Sequence, residues 1–96
     1  MIWYVYCLRC RDGSLYTGVT TDPKRRLAQH SAGKGGAYTR SRRPVRMAVL
    51  ETRPSRSSAQ IREAEIKAWP REKKRVRWSL ARRLTLPPLR AGGEPR

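Results

Sequence analysis

Apolar and polar positions divide the chain into six predicted elements. Residues 2–8 are a run of β-branched, aromatic and apolar side chains. Residues 15–20 resume that character after the turn cluster Arg11-Asp12-Gly13-Ser14, so the N-terminal segment predicts a β-hairpin. Alternate side chains of a strand share a face, which points Tyr4 and Tyr6 one way and puts Tyr16 and Gly18 together on the second strand. Thr21 or Asp22 can cap a helix with Pro23 in its first turn, running through 24–31 and stopping near Gly33. The glycine-rich stretch 33–36 predicts a flexible loop that continues through 38–44 and ends at Pro44. Residues 45–51 predict a third strand, with Val45, Met47 and Val49 alternating against Arg46 and Ala48. The polar link 55–58 can cap a helix over 59–69. Pro70 interrupts it, and a strongly basic helix follows over 71–84. Pro87-Pro88 ends ordered structure, and 91–96 predicts a frayed tail. The order β-β-α-β-α-α predicts an α+β fold, with one domain over 1–86 and a tail over 87–96.

At 96 residues, with 38% hydrophobic side chains and no Phe, the core is thin and Tyr and Trp supply its aromatic bulk. A tyrosine can therefore be plain core. The net charge of +16 is more informative. Self-repulsion on this scale opposes compaction, and a polyanionic partner is the simplest reason to tolerate it. A compositional bias towards Arg is the plain alternative, and a ribosomal or other RNA partner fits the charge equally well. A membrane surface would also attract it, but there is no run of about 18 apolar residues. The N-terminus has no basic region before an apolar one, so the expected location is cytoplasmic. Cys7 and Cys10 form a lone C-x-x-C with only His30 left to join them, short of the about four ligands of a closed zinc site. Cys7 is expected in the strand and Cys10 in the turn, as two structural thiols, with a redox pair as the alternative.

Candidate chemistry begins on the first helix, where Arg26 and His30 stand at i and i+4 on one face. An arginine fork suits a phosphate, and a solvated basic helix is the competing reading. Carboxylates are scarce: only Asp12, Asp22, Glu51, Glu63, Glu65, Glu72 and Glu94 occur. A two-metal site needs several that converge. One Mg²⁺ held by one Glu, waters and substrate phosphate remains chemically acceptable. Glu63 and Glu65 both qualify, and they lie about 200° apart on a helix. Periodicity does not choose between them: Glu65 lies near a stripe of Ile61, Ala64 and Ala68, whereas Ala59, Ile66 and Pro70 flank Glu63. For either, the competing role is to balance Arg62, Lys67 or the basic helix.

The strings Trp3-Tyr4-Val5-Tyr6, Leu15-Tyr16-Thr17-Gly18, Arg26-x-x-x-His30 and Arg62-Glu63-Ala64-Glu65-Ile66-Lys67-Ala68-Trp69 together resemble a GIY-YIG nuclease domain. The likeness is greatest to the small stand-alone bacterial members and covers roughly residues 1–75. Ala37-Tyr38-Thr39-Arg40 through Pro44 is similar to the family's basic loop. The resemblance implies a three-stranded antiparallel sheet flanked by helices. It implies Tyr6, Tyr16, Arg26, His30 and Glu63 as catalytic residues, with Glu63 as ligand of one Mg²⁺ or Mn²⁺ ion. Tyr4 stands where the motif name has Gly, and Thr17 where it has Ile. The chain contains no Asn, which several family branches use beyond the glutamate helix. That supporting role is left unfilled or falls to a Lys or Arg of residues 71–77.

The activity so implied is metal-dependent endonucleolytic hydrolysis of DNA. Arg26 would stabilise charge on the phosphorane-like transition state. Tyr6 would orient the attacking water and take its proton, with Tyr16 beside it. A base role at neutral pH needs nearby cations to lower a tyrosine pKa from about 10. His30 participates directly or aligns Tyr6 or Tyr16. Lys34, Arg40, Arg42 and Arg43 on the loop, with Lys67, Lys73, Lys74, Arg75 and Arg77, are expected to track the phosphate backbone, which positions without reading sequence. The expected substrate is single-stranded or branched DNA with weak sequence preference, as in DNA repair or strand turnover. Trp69 and Trp78 can stack on bases or serve the core. A nucleic-acid-binding protein with an idle nuclease site is the alternative.

Overall fold

β1 (Trp3–Cys10) is the middle strand of an antiparallel sheet ordered β2-β1-β3, with β2 at Leu15–Thr20 and β3 at Val45–Arg53. The computed structural model describes residues 1–84. Being central and covered on both faces, β1 needs no polar side, so Val5, Tyr6, Cys7 and Leu8 are all buried. On one face Val5 and Cys7 join Ala48 and Leu50 beneath α3 (Arg56–Lys67) and α4 (Arg71–Leu84), which contribute Ala59, Ile66, Trp78 and Ala81. On the other face Tyr6, Leu8 and Cys10 pack with Val45 and Met47 beneath Leu27 of α1 (Pro23–Ser31). The three-stranded antiparallel sheet flanked by helices is therefore as expected. A short helix α2 (Ala37–Arg40) is added to the predicted order.

The pairing of β1 with β3 shifts between Val5 and Tyr6: Val5 faces Glu51, but Tyr6 faces Val49. The extra residue of such a bulge lets two successive side chains serve one face. Leu50 enters the core under the helices, and Glu51 meets Arg62 of α3 through bonds of 2.9–3.0 Å. Arg62 also holds Glu65 at 3.0 Å, and its hydrogen bonds keep the Glu51 carboxyl below its ordinary pKa. This cluster fixes the rotation of α3, which decides what Glu63 faces.

Local signals account for most element ends. Asp22 accepts the Arg25 N–H at 3.1 Å and Pro23 opens α1. Ser55 accepts the Ser58 N–H at 3.2 Å, so α3 begins at Arg56 and takes up most of the predicted link. β1 runs on to Cys10, which is not in the turn: it pairs with Val45 and is buried. Cys7 and Cys10 are free thiols in clusters on opposite faces of β1, and burial pushes the Cys7 thiol up to about 11, as suits structural residues rather than a redox pair. Trp78 is not available to stack on bases, because it is buried and its indole donates to the Cys7 carbonyl at 3.1 Å. The boundary expected after residue 86 and the tail 87–96 lie outside the described residues.

Ile66 is fully buried while Ile61 is 64% exposed. Urea unfolding should therefore show Ile66→Ala destabilised by about 2–5 kcal/mol. Ile61→Ala should stay within about 0.5 kcal/mol of the parent. Equal effects would mean α3 is rotated differently.

Candidate active site

Tyr6 projects from β1 towards Gly18, its partner on β2, and the phenol occupies the space a Cβ at Gly18 would need. The residue is 1% exposed. Its hydroxyl lies 3.1 Å from Nε2 of His30, which is also fully buried. The other ring nitrogen of His30 lies 2.8 Å from Oγ1 of Thr39, a buried residue of α2. This bond ties the short helix over 37–40, where a loop is predicted, to α1. Gly35 closes over the imidazole, and any side chain there would overlap Nδ1.

Arg26 stands one turn before His30 on the same side of α1. Its Nε donates to the Tyr6 hydroxyl at 3.3 Å, while the rest of the fork donates to Gln29 at 3.0 Å and to the Gly35 carbonyl at 3.4 Å. Tyr16 shares a face of β2 with Gly18. Its ring meets the edge of His30 at 5.6 Å and stacks on Tyr38 at 5.8 Å. Lys67 lies 5.9 Å from the Tyr16 ring and 3.2 Å from the carboxylate of Glu63. Glu63 is half-buried, and its charge acts on Tyr6. Glu65 is turned outward with Arg62 at a side-chain exposure of 56%. The structure thus brings Tyr6, Tyr16, Arg26, His30 and Glu63 together, and α3 presents Glu63 rather than Glu65 to them.

The electrostatics correct one expectation. Burial raises the pKa of Tyr6 above its ordinary value and outweighs the hydrogen bond and charge of Arg26, which lower it. Tyr6 is therefore a neutral phenol. Burial, and then the charge of Arg26, lower His30 to about 4, so its imidazole is neutral at physiological pH. As for a cation, no cluster of three His, Cys, Asp or Glu occurs among the described residues, and Glu63 is the carboxylate that stands with this cluster. The ion pair with Lys67 shows that this carboxylate already accommodates one positive charge, and the donor set suits a Mg²⁺ completed by water and phosphate.

The predicted backbone-tracking residues divide into groups. Lys34 and Arg40 are exposed beside Gly35 and Thr39, next to the Tyr6–His30 cluster. Arg42 is engaged with Asp12 at 3.2 Å, with the Tyr38 carbonyl and, at 4.0 Å, with the Tyr38 ring; Arg43 donates to the carbonyls of Arg40 and Ser31. Both help build the 37–44 segment, which is not a free loop. Lys73, Lys74, Arg75 and Arg77 are on α4, on the sheet face opposite Tyr6. Of these, Lys73 covers Trp69, Arg75 pairs with Glu72, and Arg77 donates to the Leu50 carbonyl. Sequence reasoning missed Gln29, Gly35, Tyr38 and Thr39 as supports of the cluster. The glycine run at 33–36 was the available signal, but at Gly35 it reflects close approach rather than flexibility.

The sequence profile described as the GIY-YIG catalytic domain matches residues 2–76. The chain is 54% identical over 71 residues to a UPF0213 protein of Haloquadratum walsbyi, covering 74% of this chain and 80% of that one. It is 51% identical over 71 residues to a UPF0213 protein of Staphylococcus haemolyticus, covering 74% and 87%. A solution NMR structure of a protein from E. faecalis superimposes with a TM-score of 0.50 at 36% identity, over 83% of this chain and 86% of that one.

Two substitutions probe the buried cluster. Gly18→Ala forces the Tyr6 phenol aside and should cost about 1–3 kcal/mol in urea unfolding. Thr39→Val removes the partner of His30 Nδ1 and should cost about 1–3 kcal/mol, the penalty of an unsatisfied buried polar group. A neutral result for both would contradict the packing described.

Proposed function

The chain belongs to the GIY-YIG nuclease superfamily, and from that premise we propose that it is a metal-dependent endonuclease that hydrolyses phosphodiester bonds of single-stranded or branched DNA with weak sequence preference. The observation that carries this reading is the Tyr6 hydroxyl, held at once by Arg26 Nε and His30 Nε2 with the Glu63 carboxylate nearby. A structural tyrosine needs one partner. Here a fixed cation and a neutral imidazole both contact one hydroxyl, a carboxylate acts on it electrostatically, and Arg26 also lines an open cleft beside the cluster.

Glu63 would hold one Mg²⁺ or Mn²⁺ ion, whose Lewis acidity would polarise a non-bridging oxygen of the scissile phosphate. Arg26 binds the same phosphate and stabilises the charge that grows as the new P–O bond forms and the leaving P–O bond breaks. One well-placed donor of this kind is worth about 3–4 kcal/mol. Because Arg26 donates into the Tyr6 oxygen, the phenolic proton is directed to His30 Nε2, and His30 carries its own proton on Nδ1 towards Thr39. Tyr6 can then accept the proton of the attacking water as it passes its own to His30. The charge of Arg26 opposes protonation of His30 in the free protein. A phosphate paired with Arg26 relieves that opposition, so proton acceptance is favoured when substrate is present. Tyr16, against the edge of His30, confines the imidazole. Lys67, drawn from Glu63 when a divalent ion binds, is placed to meet a phosphate. Lys34 and Arg40 extend the contact along the backbone without reading bases.

The test uses labelled single-stranded, duplex and branched DNA with Mg²⁺ or Mn²⁺. Wild type should cleave, and Glu63→Gln should lose cleavage while retaining binding. Tyr6→Phe should fall by about 10²–10⁴-fold, the range of general acid–base contributions. Binding without cleavage of any substrate would establish the idle-site alternative, and equal cleavage by wild type and Glu63→Gln would remove Glu63 from the mechanism.

A further inference from the structure

A second cleft, of about 360 Å³, lies at the far end of β1 and is lined by Arg9, Cys10, Arg11, Pro44, Arg46 and Trp78. It is not part of the catalytic cluster. Arg9 has the parity of Val5 and Cys7 and covers the Trp78 ring at 5.7 Å, on the face of the sheet opposite Tyr6. Arg9 and Arg46 are direct cross-strand partners, and both are exposed. Like charges placed opposite one another destabilise an antiparallel pair. Among the described residues nothing nearby compensates: no carboxylate lines the cleft, and Arg9, Arg11 and Arg46 form no ion pair. The carboxylate nearest in sequence, Asp12, is engaged by Arg42 and by Ser14. Trp78 and Pro44 give the cleft an apolar wall beside its three arginines.

We propose that this cleft is a second binding site for phosphodiester backbone, separate from the catalytic site, in which the phosphates of a single DNA strand bridge Arg9, Arg11 and Arg46. An anion between Arg9 and Arg46 turns their repulsion into two attractions and releases condensed counterions. The backbone of the described residues spans at most about 30 Å, so a strand a few nucleotides longer than the catalytic site needs can reach around the β1 end to this cleft. Such an anchor would hold a long strand through the release of a cleaved end and favour repeated cutting of one molecule. The second site shares the nucleic-acid ligand of the function proposed above but not its chemistry, so loss of the Glu63 mechanism would leave the binding measurement interpretable.

The test is fluorescence anisotropy of the full chain with single-stranded DNA of about 4 and about 20 nucleotides, lengths that bracket common single-strand site sizes. Wild type is compared with Arg9→Gln/Arg46→Gln across a salt series, and thermal unfolding at low salt confirms that the double variant folds. Its midpoint is expected to equal or exceed that of wild type, because a like-charge pair is gone. For the long strand, affinity should drop about tenfold at low salt, and the slope of log K against log salt should fall by about 0.7, the value for the one phosphate between Arg9 and Arg46 that is no longer neutralised. Binding of the short strand should not change. Unchanged affinity and slope for the long strand would overturn the proposal, as would an equal weakening for both lengths.

Discussion

The hydrogen bond between the Tyr6 hydroxyl and His30, both buried, is the interaction on which the rest of the site depends. It joins the central strand to α1, and it has consequences in both directions. Towards the fold, a buried imidazole must satisfy its second nitrogen, and it does so with Thr39 of the short helix α2, where the sequence reads as a loop. Room for the pair comes from two glycines: Gly18 lets the phenol cross β2, and Gly35 lets the chain close over the ring. Towards the site, the bond leaves the phenol oxygen facing Arg26, so a cation and an imidazole nitrogen share one hydroxyl. The bulge between Val5 and Tyr6 adds the remaining condition, since it aims Glu51 at Arg62 and so sets the face of α3 that carries Glu63.

The charge of the chain has two uses. Seven acidic residues cannot pair with 23 Lys and Arg. Several arginines instead donate to backbone carbonyls and act as struts: Arg71 to Gly13, Arg77 to Leu50, Arg82 to Met47 and Arg43 to Ser31. Arg62 and Arg42 anchor scarce carboxylates. These contacts explain part of the arginine content without any ligand. They also isolate the cations that have no strut or ion-pair role among the described residues, such as Lys34 and Arg40 beside the Tyr6–His30 cluster and Arg9, Arg11 and Arg46 at the second cleft. Net charge alone cannot make that distinction, because a strut and a phosphate contact count the same.

Much of the frame was legible in the sequence because it follows from short-range rules. The hairpin around Asp12-Gly13, the Asp22-Pro23 helix start and the i, i+4 placement of Arg26 and His30 depend on neighbours within a few residues. Periodicity could not choose between Glu63 and Glu65, because Ile61 and Ile66 suggest opposite apolar faces, and only the family likeness named Glu63. Only the Glu51–Arg62 cluster, reaching from another element, shows that Ile66 is the buried one. The state of Tyr6 was hidden for a related reason. Proximity to Arg26 suggests a lowered pKa, but burial is the larger effect and becomes visible only once the phenol is seen enclosed. Trp78 was ambiguous until its indole found the Cys7 carbonyl.

The proposed mechanism rests on His30 being a neutral, buried acceptor for the Tyr6 proton, and His30 is the one histidine of the chain. An NMR titration of its ring nitrogens therefore reads a single residue. The expected result is a neutral tautomer protonated on Nδ1 at pH 7, with a midpoint near the value of about 4 set by burial and Arg26. Because the folded-state value is depressed, protonation should favour the unfolded chain as pH falls from about 6.5 towards 4. A midpoint near the unperturbed value of about 6.5, or a proton on Nε2 at neutral pH, would contradict the mechanism.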